Sequence, residues 1–460
     1  MKLNQSCTIK VKQLALDGQA YVKVQGETVV LNGVLPDEEV KVTLVKRIKE
    51  GWIGKVESFV KCSQDRIKSE CPFSQRCGGC AYLHMNYEAE LRLKKQQLIE
   101  LMKEHGLRIK VHDVCGMDRP CAYRNKIIMS FSRRGKQVRC GFYSDYSHEV
   151  VDIDACLNHD EVSNRIIQVI KELVVKYRVD IYDEDRRSGF LRHVLIRRGV
   201  MTNQSLVCFV VAQKVWPGCK NFVAELVKHC PEVTSVVQNV NSRKTSVVLG
   251  DEEKVLYGKG FITDQLLGVK YTISAKSFYQ INHDQTELLY AKAIELMNLK
   301  GNEIVYDMYC GIGTIGISAA ARAKKVIGVE VNKQAVEDAR KNGAVNQIKN
   351  VEFVCADATE YMRKAAGARR QVDAVFIDPP RSGSDEVFLK ALASMGARQI
   401  VYVSCNPQTQ VRDIKVLVKY GYRVEECYPF DLFPRTAHVE TIVLLSKGVI
   451  NSPLKRKNHY

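Results

Sequence analysis

Nowhere in the 460 residues does an apolar run reach the roughly 18 residues that a membrane-spanning helix needs, so no transmembrane segment is expected. The opening residues, MKLNQSCTIK, carry no apolar stretch of the kind a secretory leader has, so a cytoplasmic location is expected. There is no long low-complexity tract and no internal repeat, which argues against global disorder and against a solenoid. No strongly basic amphipathic helix stands out, so a role at a membrane surface is not favoured.

What is present is length, apolar content and positive charge. With 45% hydrophobic residues, the chain is long enough for two or three packed domains. Its formal net charge of +17 suits a polyanionic partner, because each Lys or Arg near a phosphate releases a counterion. A merely basic soluble enzyme would show the same excess. Sixteen Cys is high for a compartment where disulfides rarely persist, so most are expected to be buried and only spacing can single out the informative ones.

The fold class expected is multidomain. Residues 1–60 read as five short strands (CTIKVKQLA, QAYVKV, ETVVLNG, EVKVTLVKRIK, GWIGKVESFV) punctuated by Asp17-Gly18, Gly26, Asn32-Gly33 and Pro36-Asp37. That rhythm predicts a small closed or nearly closed β-barrel. Residues 61–270 mix strand-like and helical patterns and read as a central α+β domain. It includes a helix near 87–107, placed to pack on the catalytic domain. From 271 to 460, apolar strands alternate with helices, which predicts a doubly wound α/β domain with its ligand at the carboxyl ends of the strands.

Within that domain, Asp307-Met308-Tyr309-Cys310-Gly311-Ile312-Gly313 joins a strand to a helix, and the glycines allow close backbone approach to a ligand. A second strand ends at Glu330, whose carboxylate can accept from ribose hydroxyls. A third ends at Asp357, which can accept from an adenine amino group. Gly316 completes G-x-G-x-x-G, so the glycines alone leave S-adenosylmethionine (SAM) and a dinucleotide both open.

Three further pieces narrow the chemistry. Asp378-Pro379-Pro380-Arg381-Ser382-Gly383 follows the strand VDAVFI, Ser404-Cys405-Asn406-Pro407 follows QIVYV, and His438-Val439-Glu440 opens TIVLL. A Cys after a buried strand is usually packing and a lone Glu usually a surface group; two prolines at a strand end do nothing for a sheet. Together they fit methylation of carbon 5 of uracil, a poor nucleophile until a thiolate adds to carbon 6. A base must then take the carbon 5 proton so that the thiol can leave, and a carboxylate in an apolar strand suits that task. Asp378 can hold the pyrimidine edge, and Arg381 can meet a phosphate or a developing oxyanion. A related Asp/Asn-Pro-Pro-aromatic motif serves amino-group methylation, but here Arg381 stands where the stacking aromatic would be.

Outside this set, Cys71-x5-Cys77-x2-Cys80 with the remote Cys156 has ligand spacing for an iron–sulfur cube or for zinc, with Cys62 as a spare. Arg124, Lys126, Arg133, Arg134 and Lys136 interleave with Tyr123 and Phe131 and precede Phe142, Tyr143 and Tyr146. Such a mixture suits looped RNA, or is a solvated basic edge. The tail Lys455-Arg456-Lys457 reads as a phosphate contact.

DPPRSG, IVYVSCNPQT and HVETIVLL, in that order and spacing, closely resemble the RNA uracil-5 methyltransferases, and the resemblance covers nearly the whole chain. It implies Cys405 as nucleophile and Glu440 as proton acceptor, with SAM contacted at Tyr309, Glu330, Asp378 and, through SFYQIN, Gln280. It implies that the N-terminal barrel is a TRAM domain, an oligonucleotide-barrel-like RNA-binding module. GFLRHVLIRR, around Arg192 and His193, also looks like a family sequence. The 23S ribosomal RNA branch of the family carries a four-Cys [4Fe–4S] site of this pattern, which favours iron–sulfur at Cys71, Cys77, Cys80 and Cys156. The resemblance therefore implies m5U formation in 23S rRNA, at one or two uridines, with the tRNA T-loop enzyme as the alternative and a non-catalytic RNA-binding assembly factor as a third. No protein partner is implied, and a monomer is expected.

Overall fold

The computed structural model describes residues 1–135, 137–144, 149–244 and 247–447. The chain divides into two compact units. One comprises Met1–Gln97, Asp113–Leu288 and Phe430–Val439; the other comprises Leu98–His112, Leu289–Pro429 and the chain from Glu440 onward.

The first unit opens with five strands, Ser6–Lys10, Ala20–Val24, Glu27–Leu31, Glu39–Ile48 and Gly51–Lys61, as the turn residues predicted. They form one sheet in the order first, fourth, fifth, third, second. Alternation turns Val40, Val42 and Leu44 inward, and the fourth strand shifts register three times against the fifth. Such bulges bend a sheet towards closure. Gly54 lies against the inward-facing side chains: a Cβ there would stand 2.5 Å from Val42 Cγ1 and 2.6 Å from Leu31 Cδ2.

The same unit holds a seven-stranded sheet, ordered Glu252–Gly258, Val233–Val240, Gln204–Val211, Leu191–Gly199, Lys126–Arg134, Gln137–Tyr143 and Val150–Asp152. Helices Glu161–Lys176 and Cys219–His229 join its core through Ile166, Ile170, Leu173, Phe222 and Leu226. The first begins at Asp160, whose carboxylate caps Ser163 N at 2.8 Å. Arg192 and His193 are buried here. Arg192 pairs with Glu184 at 2.8 Å and donates to two backbone carbonyls, while burial and the neighbouring Arg192 push the imidazole of His193 down to about 4.

The basic and aromatic stretch is not the open platform that its composition suggested. Period-2 alternation along Lys126–Arg134 sends Phe131 into the core, and Tyr123 is buried with its hydroxyl on Pro434 O at 3.1 Å. Arg133 and Arg134 remain exposed, Tyr143 is exposed at its edge, and Arg124 and Phe142 line a partly open cavity. Lys136, Tyr146 and Lys455-Arg456-Lys457 lie outside the described residues.

The second unit is built on eight strands in the order Val351–Cys355, Lys325–Glu330, Ile304–Met308, Ala374–Ile377, Gln399–Ser404, Glu440–Lys447, Tyr422–Phe430 and Lys110–Val111. The first five are parallel and separated in sequence by helices. Glu440–Lys447 is inserted antiparallel beside Gln399–Ser404. Strand order reverses between Ile304–Met308 and Ala374–Ile377, the switch point where α/β sheets hold ligands. The sheet centre is apolar on both faces (Val305, Val375, Phe376, Ile400 and Val401 are fully buried), so polar chemistry is confined to the strand ends. Among the described residues no helix is long and apolar enough to cross a membrane.

Candidate active site

The strand Ile304–Met308 runs into Tyr309, which adopts φ 63°, a left-handed conformation rare for an aromatic residue. Gly311 (φ 54°) and Gly313 (φ 82°) complete the turn into helix Thr314–Ala319. A Cβ on Gly313 would come 2.7 Å from Phe353 Cζ, and one on Gly316 would come 2.7 Å from Asp307 Oδ2. Gly316 is therefore required by packing of the helix on Asp307. Glu330, at the end of the adjacent strand, accepts from Gly311 N at 3.2 Å and from Asn332 N at 2.8 Å, which fixes its carboxylate beside the turn.

Asp357 is exposed and caps helix Ala358–Gly367 by accepting from Glu360 N at 3.0 Å. The sequence reading had missed that structural task, although Asp357 and Glu360 stand at capping-box spacing. Gln280 belongs to the first unit; it is buried, and its carbonyl accepts from Asn125 Nδ2 at 2.8 Å.

The remaining three residues share one rim of the second unit. Asp378 follows Ile377, which pairs with Tyr402, and Cys405 follows Ser404, which pairs with Thr441, the neighbour of Glu440. Register alone thus brings the thiol and the two carboxyls to one end of three adjacent strands. The loops that carry Asp378 and Cys405 are tied together, because Asn406 Nδ2 and Thr409 Oγ1 both donate to Arg381 O, at 2.9 and 3.2 Å.

Electrostatics confirm the proximity. Burial, then Glu440, then Asp378 push the Cys405 thiol up to about 11, while Arg381 pulls it down. Burial followed by the negative field of Asp378 pushes Glu440 up to about 8, again opposed by Arg381. Desolvation lifts Asp378 to about 7 although part of its surface stays open. One neighbour was overlooked from sequence. Asp307 is buried and also rises to about 7, through burial and then Asp378 and Glu330, while Gly316 N donates to its Oδ2 at 2.8 Å. Its Oδ1 has no hydrogen-bond partner among the described residues. An acidic residue at the penultimate position of a strand before a glycine-rich turn was the available signal.

A second thiol site lies in the first unit. Cys71, Cys77, Cys80 and Cys156 line a single cavity together with Phe73, Leu83, Phe142 and Ile153. Asn158 Nδ2 donates to Cys80 Sγ at 3.3 Å. Burial, then Cys156, push Cys80 up to about 12, and Arg124 opposes this. Among the described residues no three His, Cys, Asp or Glu side chains converge to hold one metal ion. Cys62 is exposed, just past the strand Gly51–Lys61.

Comparison with known proteins agrees with the architecture. Residues 86–448 match the family described as tRNA (Uracil-5-)-methyltransferase. A Bacillus cereus protein described as an uncharacterized RNA methyltransferase is 38% identical over 446 residues, 96% of this chain and 97% of that protein. A Staphylococcus aureus protein of the same description is 39% identical over 439 residues, 95% and 97% of the two chains. The crystal structure of Pyrococcus abyssi tRNA (uracil-54, C5)-methyltransferase with S-adenosyl-L-homocysteine is similar at 30% identity, with a TM-score of 0.79, covering 95% of this chain and all of that one. With a family pattern spanning most of its length and relatives aligned nearly end to end, the chain belongs to the SAM-dependent RNA uracil-5 methyltransferase family.

Proposed function

We propose that this chain methylates carbon 5 of uridine in 23S ribosomal RNA, at one or two positions, with Cys405 as nucleophile and Glu440 as the base. The observation that carries this reading is a thiol and a carboxyl, each shifted by the other's neighbourhood, on one strand-end rim of the α/β unit.

The bound cofactor supplies the methyl group and a positive sulfonium. For it, we propose contacts from Tyr309, Glu330, Asp357, Asp378 and Gln280. Glu330 beside the glycine turn suits ribose hydroxyls. Asp357 keeps one carboxylate oxygen beyond its cap, and that oxygen suits an adenine amino group.

In the free protein the thiol near 11 and the carboxyl near 8 both hold protons at neutral pH. Cys405 gives its proton to solvent water, which its half-exposed position allows, before it adds to carbon 6, and the Arg381 guanidinium is the cation placed to stabilise the thiolate. Addition makes carbon 5 nucleophilic, and methylation leaves a proton there. Glu440, once it has released its own proton to water, takes the carbon 5 proton, the electrons of the C–H bond re-form the ring double bond, and Cys405 leaves carbon 6. A base titrating near 8 works close to neutral pH, where it accepts a proton and can still release it between turnovers. The uridine must leave any stack to reach this rim.

For the four-Cys cavity, we propose a [4Fe–4S] cluster held by Cys71, Cys77, Cys80 and Cys156. The donor set fits: four thiols, an apolar wall and Asn158 donating to sulfur. A cube offers each thiolate a separate iron, so its ligands need not meet at one point as zinc ligands must. A structural or RNA-orienting role suffices, since methyl transfer moves no electrons. For the curved five-stranded sheet, we propose a TRAM-type RNA-binding barrel.

A second substrate is favoured by one observation. A protein described as a tRNA (uracil-54) methyltransferase is similar over 95% of this chain, so the additional N-terminal segments do not by themselves mark a ribosomal RNA enzyme. Mapping 5-methyluridine in 23S rRNA and in tRNA from a strain lacking this gene separates the two. Loss from 23S rRNA alone supports the leading proposal, and loss from the tRNA T-loop alone overturns it.

A further inference from the structure

Helix Pro407–Lys419, which follows Cys405, carries a carboxylate that sequence reading left unmarked. Asp413 is 1% exposed. Its Oδ2 accepts from Ser384 N at 2.7 Å and from Tyr402 Oη at 2.6 Å. Its Oδ1 accepts from Arg412 Nε at 2.8 Å, and Nη2 of the same guanidinium lies 2.7 Å away as an ion pair. Arg412 Nη2 also donates to Ser382 O at 2.9 Å and Ser384 O at 3.0 Å. Ser384 in turn meets the hydroxyl of Tyr309, Oγ to Oη 3.2 Å. Between them sits Gly383 at φ 73°, where a Cβ would stand 2.6 Å from both Arg412 Nη2 and Asp413 Oδ2.

One carboxylate thus joins three elements: the strand that precedes Cys405 (through Tyr402), the loop that begins at Asp378 (through Ser384), and the glycine turn (through Ser384 to Tyr309). Helix packing alone does not need this. Leu417, Ile414 and Val411 already bury the same helix, and a buried salt bridge is weak as a stabiliser compared with apolar packing. What the carboxylate adds is fixed geometry, since each donor has a single direction.

We infer that Asp413 is a positioning residue that sets the spacing between the Cys405 loop and the Asp378 loop and holds the Tyr309 turn in its left-handed conformation. The inference rests on the proposed roles of Cys405, Asp378 and Tyr309. Disturbing the hub displaces the nucleophile from its partners and loosens the turn, so the rate of methyl transfer and the affinity for SAM fall together while RNA affinity holds.

The test uses the full chain and transfer of the tritiated methyl of SAM into total RNA from a strain lacking this gene. SAM affinity is measured by calorimetry and stability by thermal melting. Asp413→Asn is expected to lower kcat about 100-fold, the scale of a small misplacement in an active site, and to weaken SAM binding about tenfold. Tyr402→Phe removes one donor and gives a smaller loss in the same two quantities; it carries the test if Asp413→Asn does not fold. Leu417→Ala destabilises the same helix without touching the hub, and is expected to melt earlier with kcat unchanged. Wild-type kcat and SAM affinity in a folded Asp413→Asn, or in Tyr402→Phe if only that variant folds, would overturn the inference. So would a kcat loss in Leu417→Ala matching that of the hub variants. Cys405→Ala, run alongside, separates the two claims: if it stays active, the proposed pocket fails, and if it is dead while Asp413→Asn is fully active, only the hub fails.

Discussion

Cys405 and Cys80 are both partly buried thiols with raised pKa values and an arginine nearby, yet their surroundings differ in kind. Carboxyls face Cys405: Glu440 and Asp378 rank just after burial among the causes of its shift. Other thiols face Cys80: Cys156 follows burial, and Cys77 adds to it. A thiolate among thiols is relieved by a shared cation, whereas a thiolate beside carboxyls has only Arg381 and whatever cationic ligand arrives. The role of a cysteine is thus read from the charges around it, and the burial that both share says little.

The sharpest break in this comparison is to remove each thiol. Cys405→Ala is expected to abolish methyl transfer, by about 10⁴-fold or more as loss of a covalent nucleophile does elsewhere, while calorimetric SAM binding persists. Retained turnover would remove the covalent mechanism. Glu440→Gln comes next in size. Addition and methylation need no base at carbon 5, so a protein–RNA adduct that survives SDS is expected to build up while turnover falls about 10² to 10⁴-fold. A gel without any adduct counts against Glu440 as the base.

Cys80→Ser tests the other side. Protein purified in air is expected to be brown with bound iron, and this variant to lose colour and iron and to melt earlier, yet still to bind SAM. A colourless wild-type preparation with stoichiometric zinc and no iron overturns the iron–sulfur proposal.

Much of the second unit was legible because four of its five parallel strands are largely buried apolar runs that stop abruptly, and a motif begins at the stop. Asp378 and Cys405 were visible for that reason. Their convergence with Glu440 depends on an antiparallel strand inserted beside Gln399–Ser404, a non-local pairing that no short window reveals. The neighbouring strand Tyr422–Phe430 escaped notice because charged residues interrupt its alternation. Asp413 escaped because a carboxylate inside a helix looks like a solvated face until its donors are seen. The reverse error came at Tyr123 and Phe131, where basic neighbours suggested an exposed stacking surface, but strand alternation buries Phe131 and tertiary packing buries Tyr123, whose hydroxyl reaches Pro434 O. Composition reports which residue types are close in sequence; only the pleat decides which of them meet water.

The smallest expected effect concerns stability, and its sign is set by the carboxyl cluster. Glu440 near 8, with Asp378 and Asp307 near 7, all titrate above the ordinary carboxylate range. A group whose folded pKa is raised holds its proton more tightly in the folded state. Its stabilising contribution is complete below the unfolded value and is lost as pH climbs towards the folded one. The wild-type protein without ligand is therefore expected to melt progressively earlier between about pH 5 and about pH 8, as two buried charges and the half-buried Asp378 form against one another. Glu440→Gln keeps the shape and removes one of them. It should melt close to wild type at the acid end and a few degrees later at the alkaline end. Cys80→Ser, a change in the first unit, should shift the melting temperature without altering that pH slope. A Glu440→Gln difference that is the same at both ends would mean that residue 440 carries no raised pKa, and the base proposed for the reaction would lose its physical ground.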